Sequence, residues 1–130
     1  MRRIILALLS VSAIALIGGW GGGAARAQAW PGERAVVEFA QPMLLGSVIL
    51  KGKYLLVHDD SGMKDGKPCL YVYAYTGDRP DRLVVSFHCE PVRRDKAEQV
   101  TITSLPLFAS GMREVQEIQF ADSIVGHRVR

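Results

Sequence analysis

Two cysteines lie at the ends of a segment with the pattern of a β-hairpin, and this segment constrains the fold more than any other. Residues 70–75 and 82–88 are rich in aromatic and β-branched side chains, and glycine, proline and aspartate occur between the two runs. Such residues favour a tight turn between antiparallel strands. A turn centred on Arg79 places Cys69 directly opposite Cys89, so the sequence predicts a hairpin closed by one disulfide bond.

Both faces of this predicted hairpin are apolar. On one face the register pairs three tyrosines with three apolar residues of the second run: Tyr71 with Phe87, Tyr73 with Val85, and Tyr75 with Leu83. The opposite face is also mostly apolar. Because strands with two apolar faces are usually covered on both sides, we expect the hairpin to be central in a small antiparallel β-sandwich or partly open barrel.

Further strand signals precede the hairpin. Residues 54–59 alternate in hydrophobicity, and an exposed loop at 60–68 joins them to the hairpin. They are therefore expected to pair with its first strand, with His58 opposite Leu70. Residues 34–39 form another strand-like run, while residues 51–53 have the composition of a turn.

The start of the exported chain and its last third give weaker signals. Residues 30–33 are predicted to be a loosely packed start, and residues 97–105 are strand-like. The segment 114–120 fits both periodicities, because Val115 and Ile118 have helical spacing while Ile118 and Phe120 have strand spacing. Since the rest of the chain reads as β-structure, we favour a strand here and predict an all-β fold.

The first 29 residues have the pattern of a secretory signal peptide. Arg2 and Arg3 precede an uncharged run from Ile4 to Ile17, and a small-x-small site ends at Ala29. The run is shorter than the about 20 apolar residues that a spanning helix needs, so no stable membrane insertion is expected after cleavage. The sequence thus predicts a signal peptide at 1–29, a single β domain at 30–130, and a periplasmic or secreted location.

Removal of the leader also changes the charge. The chain has 16 Lys and Arg residues, and the leader takes away Arg2, Arg3 and Arg26, which leaves 13 basic residues against 13 acidic ones. A neutral domain without a basic, aromatic-interleaved surface does not fit a nucleic-acid-binding protein. We therefore predict no nucleic-acid partner.

Three histidines are the candidate metal ligands. His58, His88 and His127 offer imidazole nitrogens, which zinc and copper prefer in proteins. The expected register places His58 and His88 on one face, but with a strand between them, so a site there is strengthened if His127 folds over that face. Cys69 and Cys89 are lost as thiolate ligands if they form the disulfide, and the exported location favours that bond.

No catalytic motif surrounds these residues. The exported chain contains no nucleophile elbow and no glycine-rich phosphate loop. The leading hypothesis is therefore a non-enzymatic binding or structural module without a cofactor, which contacts a protein or an envelope component through a loop or a sheet edge. The alternative is a periplasmic protein that binds copper or zinc through His58 and His88, with His127 as a further ligand if it folds over their face.

Several segments resemble those of a small family of exported bacterial β-domain proteins. They comprise residues 39–46, a leucine-x-glycine-x-tyrosine turn at 50–54 with the strand that follows it, and residues 85–92 and 119–127. The resemblance implies a compact β-sandwich or barrel with no established activity. It assigns no catalytic residue to this chain.

Overall fold

The chain folds into eight strands that enclose one core. A computed structural model describes residues 32–130, so the predicted signal peptide and its cleavage site lie outside the described residues. The strands are β1 Glu33–Leu45, β2 Val48–His58, β3 Leu70–Thr76, β4 Arg79–Phe87, β5 Cys89–Arg93, β6 Thr101–Pro106, β7 Arg113–Gln119 and β8 Val125–Val129. Between residues 32 and 130 the only helical element is a 3-10 turn at Met63–Asp65. The all-β prediction is confirmed, including the strand at 114–120.

All eight strands belong to one strongly curled, half-barrel sheet. Their order is β4-β3-β2-β1-β7-β8-β5, and β6 pairs with the other side of β7. The contact between β1 and β7, at Met43 and Leu44, is the only parallel pairing among the described strands. Strands at opposite ends of the order, β4 and β5, are consecutive in the chain and have only His88 between them.

The pairing of β2 with β3 has the predicted register. Tyr54 lies opposite Ala74, Leu56 opposite Val72, and His58 opposite Leu70. One of the expected turns was wrong, however. Residues 51–53 do not form a turn, because Gly52 adopts a φ of 98° within β2, opposite Phe39, and the chain reverses instead at Gly46, between β1 and β2.

The register of the β3–β4 hairpin differs from the prediction. Its turn is the dipeptide Gly77-Asp78, with φ values of 57° and 60°, which is the geometry that two-residue hairpins require. Two register shifts follow along β3, so that Leu70 lies opposite Phe87. A shift of one residue exchanges the faces of a strand, and Phe87 is therefore buried beside Leu70 and no longer paired with Tyr71. The expectation of a central hairpin was also wrong, because β4 is an edge strand.

The predicted disulfide between Cys69 and Cys89 is present, with a Cα–Cα distance of 6.1 Å. The expected cross-strand pairing of the cysteines was wrong, since Cys89 begins β5 and pairs with Val129 of β8. Cys69 directly precedes β3, so the bond connects the hairpin end of the curled sheet to its β5 edge. Both cysteines are buried. The bond indicates a non-reducing compartment.

The core fills the concave side of the sheet. Its most deeply buried side chains come from four of the strands and from the residue after β7: Leu45, Leu50, Leu56, Leu70, Val72, Val115, Ile118 and Phe120. Phe87 of β4 and the disulfide complete the core. No helix among the described residues is long and apolar enough to cross a lipid bilayer.

The buried carboxylate of Glu117, in β7, is paired with an arginine. Glu117 accepts two hydrogen bonds from the Arg94 guanidinium, at 2.8 and 2.7 Å. Arg94 therefore holds the pKa of Glu117 below its usual value. The carboxylate occupies the space where a side chain at position 126 would project, which explains the glycine there.

We predict that the disulfide contributes a large fraction of the folding stability. A Cys69→Ala, Cys89→Ala variant removes a cross-link between residues 20 positions apart, and it should lose about 3 kcal/mol in the free energy of unfolding. Urea denaturation measures this loss as a lower midpoint. A reductant should shift the wild type to the midpoint of the variant and leave the variant unchanged. Equal midpoints for the oxidised wild type and the variant would contradict the prediction.

Candidate functional site

Two of the three histidines meet inside the curled sheet. His58 ends β2, and His127 lies in the middle of β8, so that β1 and β7 separate their strands in the sheet. The curl nevertheless brings the two imidazole rings to a centroid distance of 3.9 Å with an interplanar angle of 34°. The His58 side chain is 13% exposed and that of His127 only 3%.

Glu33 completes this cluster from the first position of β1. It lies directly opposite His58 in the β1–β2 register. Its carboxylate oxygen Oε2 is 3.3 Å from His58 Nδ1 and 3.5 Å from His127 Nε2. The preceding residue, Gly32, has a φ of +75°, and a Cβ there would collide with the His58 carbonyl oxygen. Glycine therefore allows the chain to approach β2 closely enough to present Glu33 to both imidazoles.

The two nitrogens of His127 have different surroundings. Nδ1 lies 3.8 Å from Cys89 Sγ, on the disulfide side of the ring. Nε2 is buried, and its 3.5 Å contact with Glu33 Oε2 is too long for a well-formed hydrogen bond. Burial lowers the pKa of His127, and the neighbouring His58 lowers it further, against the opposing effect of Glu33. The ring is therefore held towards its neutral form.

These residues line a pocket of about 290 Å³. Besides the cluster itself, its walls come from the loop after β2 and from β5, β8 and the segment before β8: Asp60, Met63, Cys89, Pro91, Ser123 and Val125. The hydroxyl of Ser123 bonds to the backbone of Val125 and has no bond to an imidazole. A larger cleft of about 610 Å³ lies between β1 and β6, but no histidine or cysteine lines it.

Only two of the three histidines predicted as ligands lie together in the structure. It brings His58 and His127 together, whereas His88 is exposed between β4 and β5 and is not part of the cluster. The position expected for His88, opposite Leu70, is occupied by Phe87 because of the register shift. Cys89 adjoins the histidines, but its sulfur is bonded to Cys69.

Glu33 is the residue that the sequence interpretation missed. Residues 30–33 had been expected to form a loosely packed start, yet β1 begins at Glu33. A signal was present, because the run of alternating residues in β1 can be extended back to Glu33. Its proximity to His127 depends on the curl of the sheet, which local patterns do not reveal.

Comparison with known proteins returned no relative: no family model, no curated protein and no solved structure matches the chain. The resemblance to exported bacterial β-domain proteins therefore stays a prediction.

We predict that His127 is not retained for stability. An unsatisfied buried polar atom costs about 1–3 kcal/mol, so an apolar side chain of similar volume removes that cost. A His127→Leu variant, refolded without ligand, should change the free energy of unfolding by less than about 1 kcal/mol. Its matched control is Ile118→Ala, at the fully buried residue opposite His127, which should lose about 2–5 kcal/mol. Similar losses in both variants by urea denaturation would assign His127 to the core.

Proposed function

We propose that this protein is an exported, disulfide-bonded binding domain that takes its ligand in the histidine pocket and catalyses no reaction. The observation that carries the proposal is the buried Nε2 of His127, which faces the pocket cluster without a hydrogen-bond partner in the described chain. Natural proteins satisfy most buried polar groups, and exceptions commonly mark functional sites. We therefore assign the function to the histidine pocket, where a bound ligand would supply the partner that Nε2 lacks.

The periplasmic or extracellular location rests on two independent features. The leader pattern at 1–29 predicts export, and the Cys69–Cys89 bond fits an oxidising compartment. The pocket residues support a binding role over catalysis, because the only hydroxyl that lines the pocket, Ser123, is engaged with backbone. A nucleophile needs an adjacent general base, and neither histidine supplies one to Ser123.

Native mass spectrometry of the exported protein tests this function. The full chain is expressed without an affinity tag, recovered from the exported fraction, and measured intact. We expect a bridged chain that starts at Trp30 and carries a bound mass. The bound mass should be absent from His127→Leu and present in His88→Leu, the same change at an exposed histidine outside the pocket. An unliganded wild type, or an equal bound mass in His127→Leu, would remove the proposal.

A second candidate function is contact with a protein or an envelope component. It is favoured by an exposed apolar surface at the end of β6, where Leu105 is 57% exposed and Phe108 is 94% exposed. Large apolar side chains at this exposure are typical of contact surfaces when they are grouped. This surface does not overlap the residues that line the histidine pocket.

A Phe108→Ser variant tests that contact. Loss of one apolar anchor should lower co-sedimentation with isolated envelope membranes about tenfold in affinity, because burial of such a ring is worth at least about 1.4 kcal/mol. Ile49→Ser, which changes an exposed apolar residue that does not line the histidine pocket, serves as the control and should bind like the wild type. If wild type, variant and control sediment equally, the Phe108 surface is not the contact.

A further inference from the structure

We propose that the ligand of the histidine pocket is a zinc ion held by His58 Nδ1, His127 Nε2 and one carboxylate oxygen of Glu33. This inference rests on the proposed binding function and names its ligand. It differs from the metal site expected from the sequence, because Glu33 replaces His88 as the third ligand and the cysteines are excluded.

The distances from the Glu33 oxygen to the two imidazole nitrogens match a tetrahedral zinc site. Zinc binds nitrogen and carboxylate oxygen at about 2.0–2.2 Å, so two ligand atoms of a tetrahedral site are about 3.3–3.5 Å apart. Glu33 Oε2 lies 3.3 Å from His58 Nδ1 and 3.5 Å from His127 Nε2. A square-planar copper site would need donors about 2.8–2.9 Å apart, so the observed spacing favours zinc over copper.

The disulfide determines which nitrogen of His127 is free to bind an ion. Cys89 Sγ is bonded to Cys69 and carries no hydrogen, so its 3.8 Å contact with His127 Nδ1 is a hydrogen bond only if Nδ1 carries the proton. In that tautomer Nε2 has its lone pair available. Zinc-bound histidines commonly donate their other N–H to a neighbouring group, which fixes the ring in this way.

In this tautomer the lone pair of Nε2 lies close to a second hydrogen-bond acceptor. Its neighbour at 3.5 Å is a carboxylate oxygen of Glu33, and His58 Nδ1 lies 3.3 Å from the same oxygen. Acceptors repel one another unless a proton or a metal ion lies between them. A divalent cation satisfies all three atoms at once.

Three protein ligands leave one position of the tetrahedron open. Structural zinc sites are usually closed by four protein ligands, whereas sites with three keep a place for water or another ligand. The pocket of about 290 Å³ beside the cluster has room for that ligand. The ion would therefore keep one position for water or a small ligand.

Titration of the exported protein with zinc chloride tests the inference. The protein is treated with a chelator, its disulfide is confirmed by alkylation, and zinc, copper(II) and magnesium are added separately in competition with a chromophoric chelator. We expect one zinc ion per chain. Loss of an outer-shell partner typically weakens zinc binding about 10–100-fold, so Glu33→Gln, which replaces a direct ligand, should weaken it by at least that factor, and so should His127→Leu. His88→Leu should bind like the wild type.

Nitrogen NMR of the imidazoles supplies a readout that does not depend on affinity. Zinc should shift Nδ1 of His58 and Nε2 of His127, and leave both nitrogens of His88 unchanged. Because the Glu33 side chain is 35% exposed, Glu33→Gln should keep the fold and so tests the site even if a histidine variant unfolds. Zinc binding that is unaffected by Glu33→Gln, or that shifts Nδ1 of His127, would overturn the ligand set.

The outcomes also separate this inference from the proposed function. If the exported protein carries a bound mass that is not zinc and that depends on His127, the binding function stands and the zinc site is wrong. Copper(II) generally binds more tightly than zinc, so tighter copper binding alone is expected. A copper affinity beyond that general preference, together with the spectrum of a square-planar complex, would overturn the choice of ion. An empty pocket that does not bind zinc removes both proposals.

Discussion

The covalent bond between Cys69 and Cys89 adds a cross-link to a curled sheet whose end strands, β4 and β5, are already joined in the chain through His88. It joins the base of the β3–β4 hairpin to β5. Strands β2 and β8 are separated by β1 and β7 in the sheet, and they approach each other only because the sheet curls. The bond lies beside this approach, since Cys89 contacts His127. The geometry of the histidine pocket thus depends on the same curl that the disulfide constrains.

Three buried polar residues differ in how well their polar atoms are hydrogen-bonded. Glu117 is neutralised by the paired bonds of Arg94, and Gln119 donates to the carbonyl oxygens of Asp95 and Ser123. His127 is the exception within residues 32–130, because its Nε2 has no hydrogen-bond partner. The first two residues are explained by the fold alone. An unpaired nitrogen that faces a carboxylate and a second imidazole is better explained by a ligand.

The proposed zinc ligands also suit the compartment. Thiolates are strong zinc ligands, but outside the cytoplasm cysteines are commonly oxidised. Here the cysteines form the disulfide, and the donors that remain are imidazole and carboxylate, which need no reducing environment. In the proposed site Cys89 acts as a neighbour that fixes the His127 tautomer, so the disulfide has a part in the site without binding the ion.

The sequence by itself determined the β class, the disulfide between the two cysteines, the β2–β3 register and the strand at 114–120. These features depend on alternation of side chains and on residues close in the chain. Only the tertiary structure decided the β3–β4 register, because the Gly77-Asp78 turn and two register shifts displaced the expected pairing. It also replaced His88 by Glu33 beside His58 and His127. The contacts of Glu33 and His58 with His127 join strands that are not neighbours in the sheet, and only the curvature of the whole sheet brings them together.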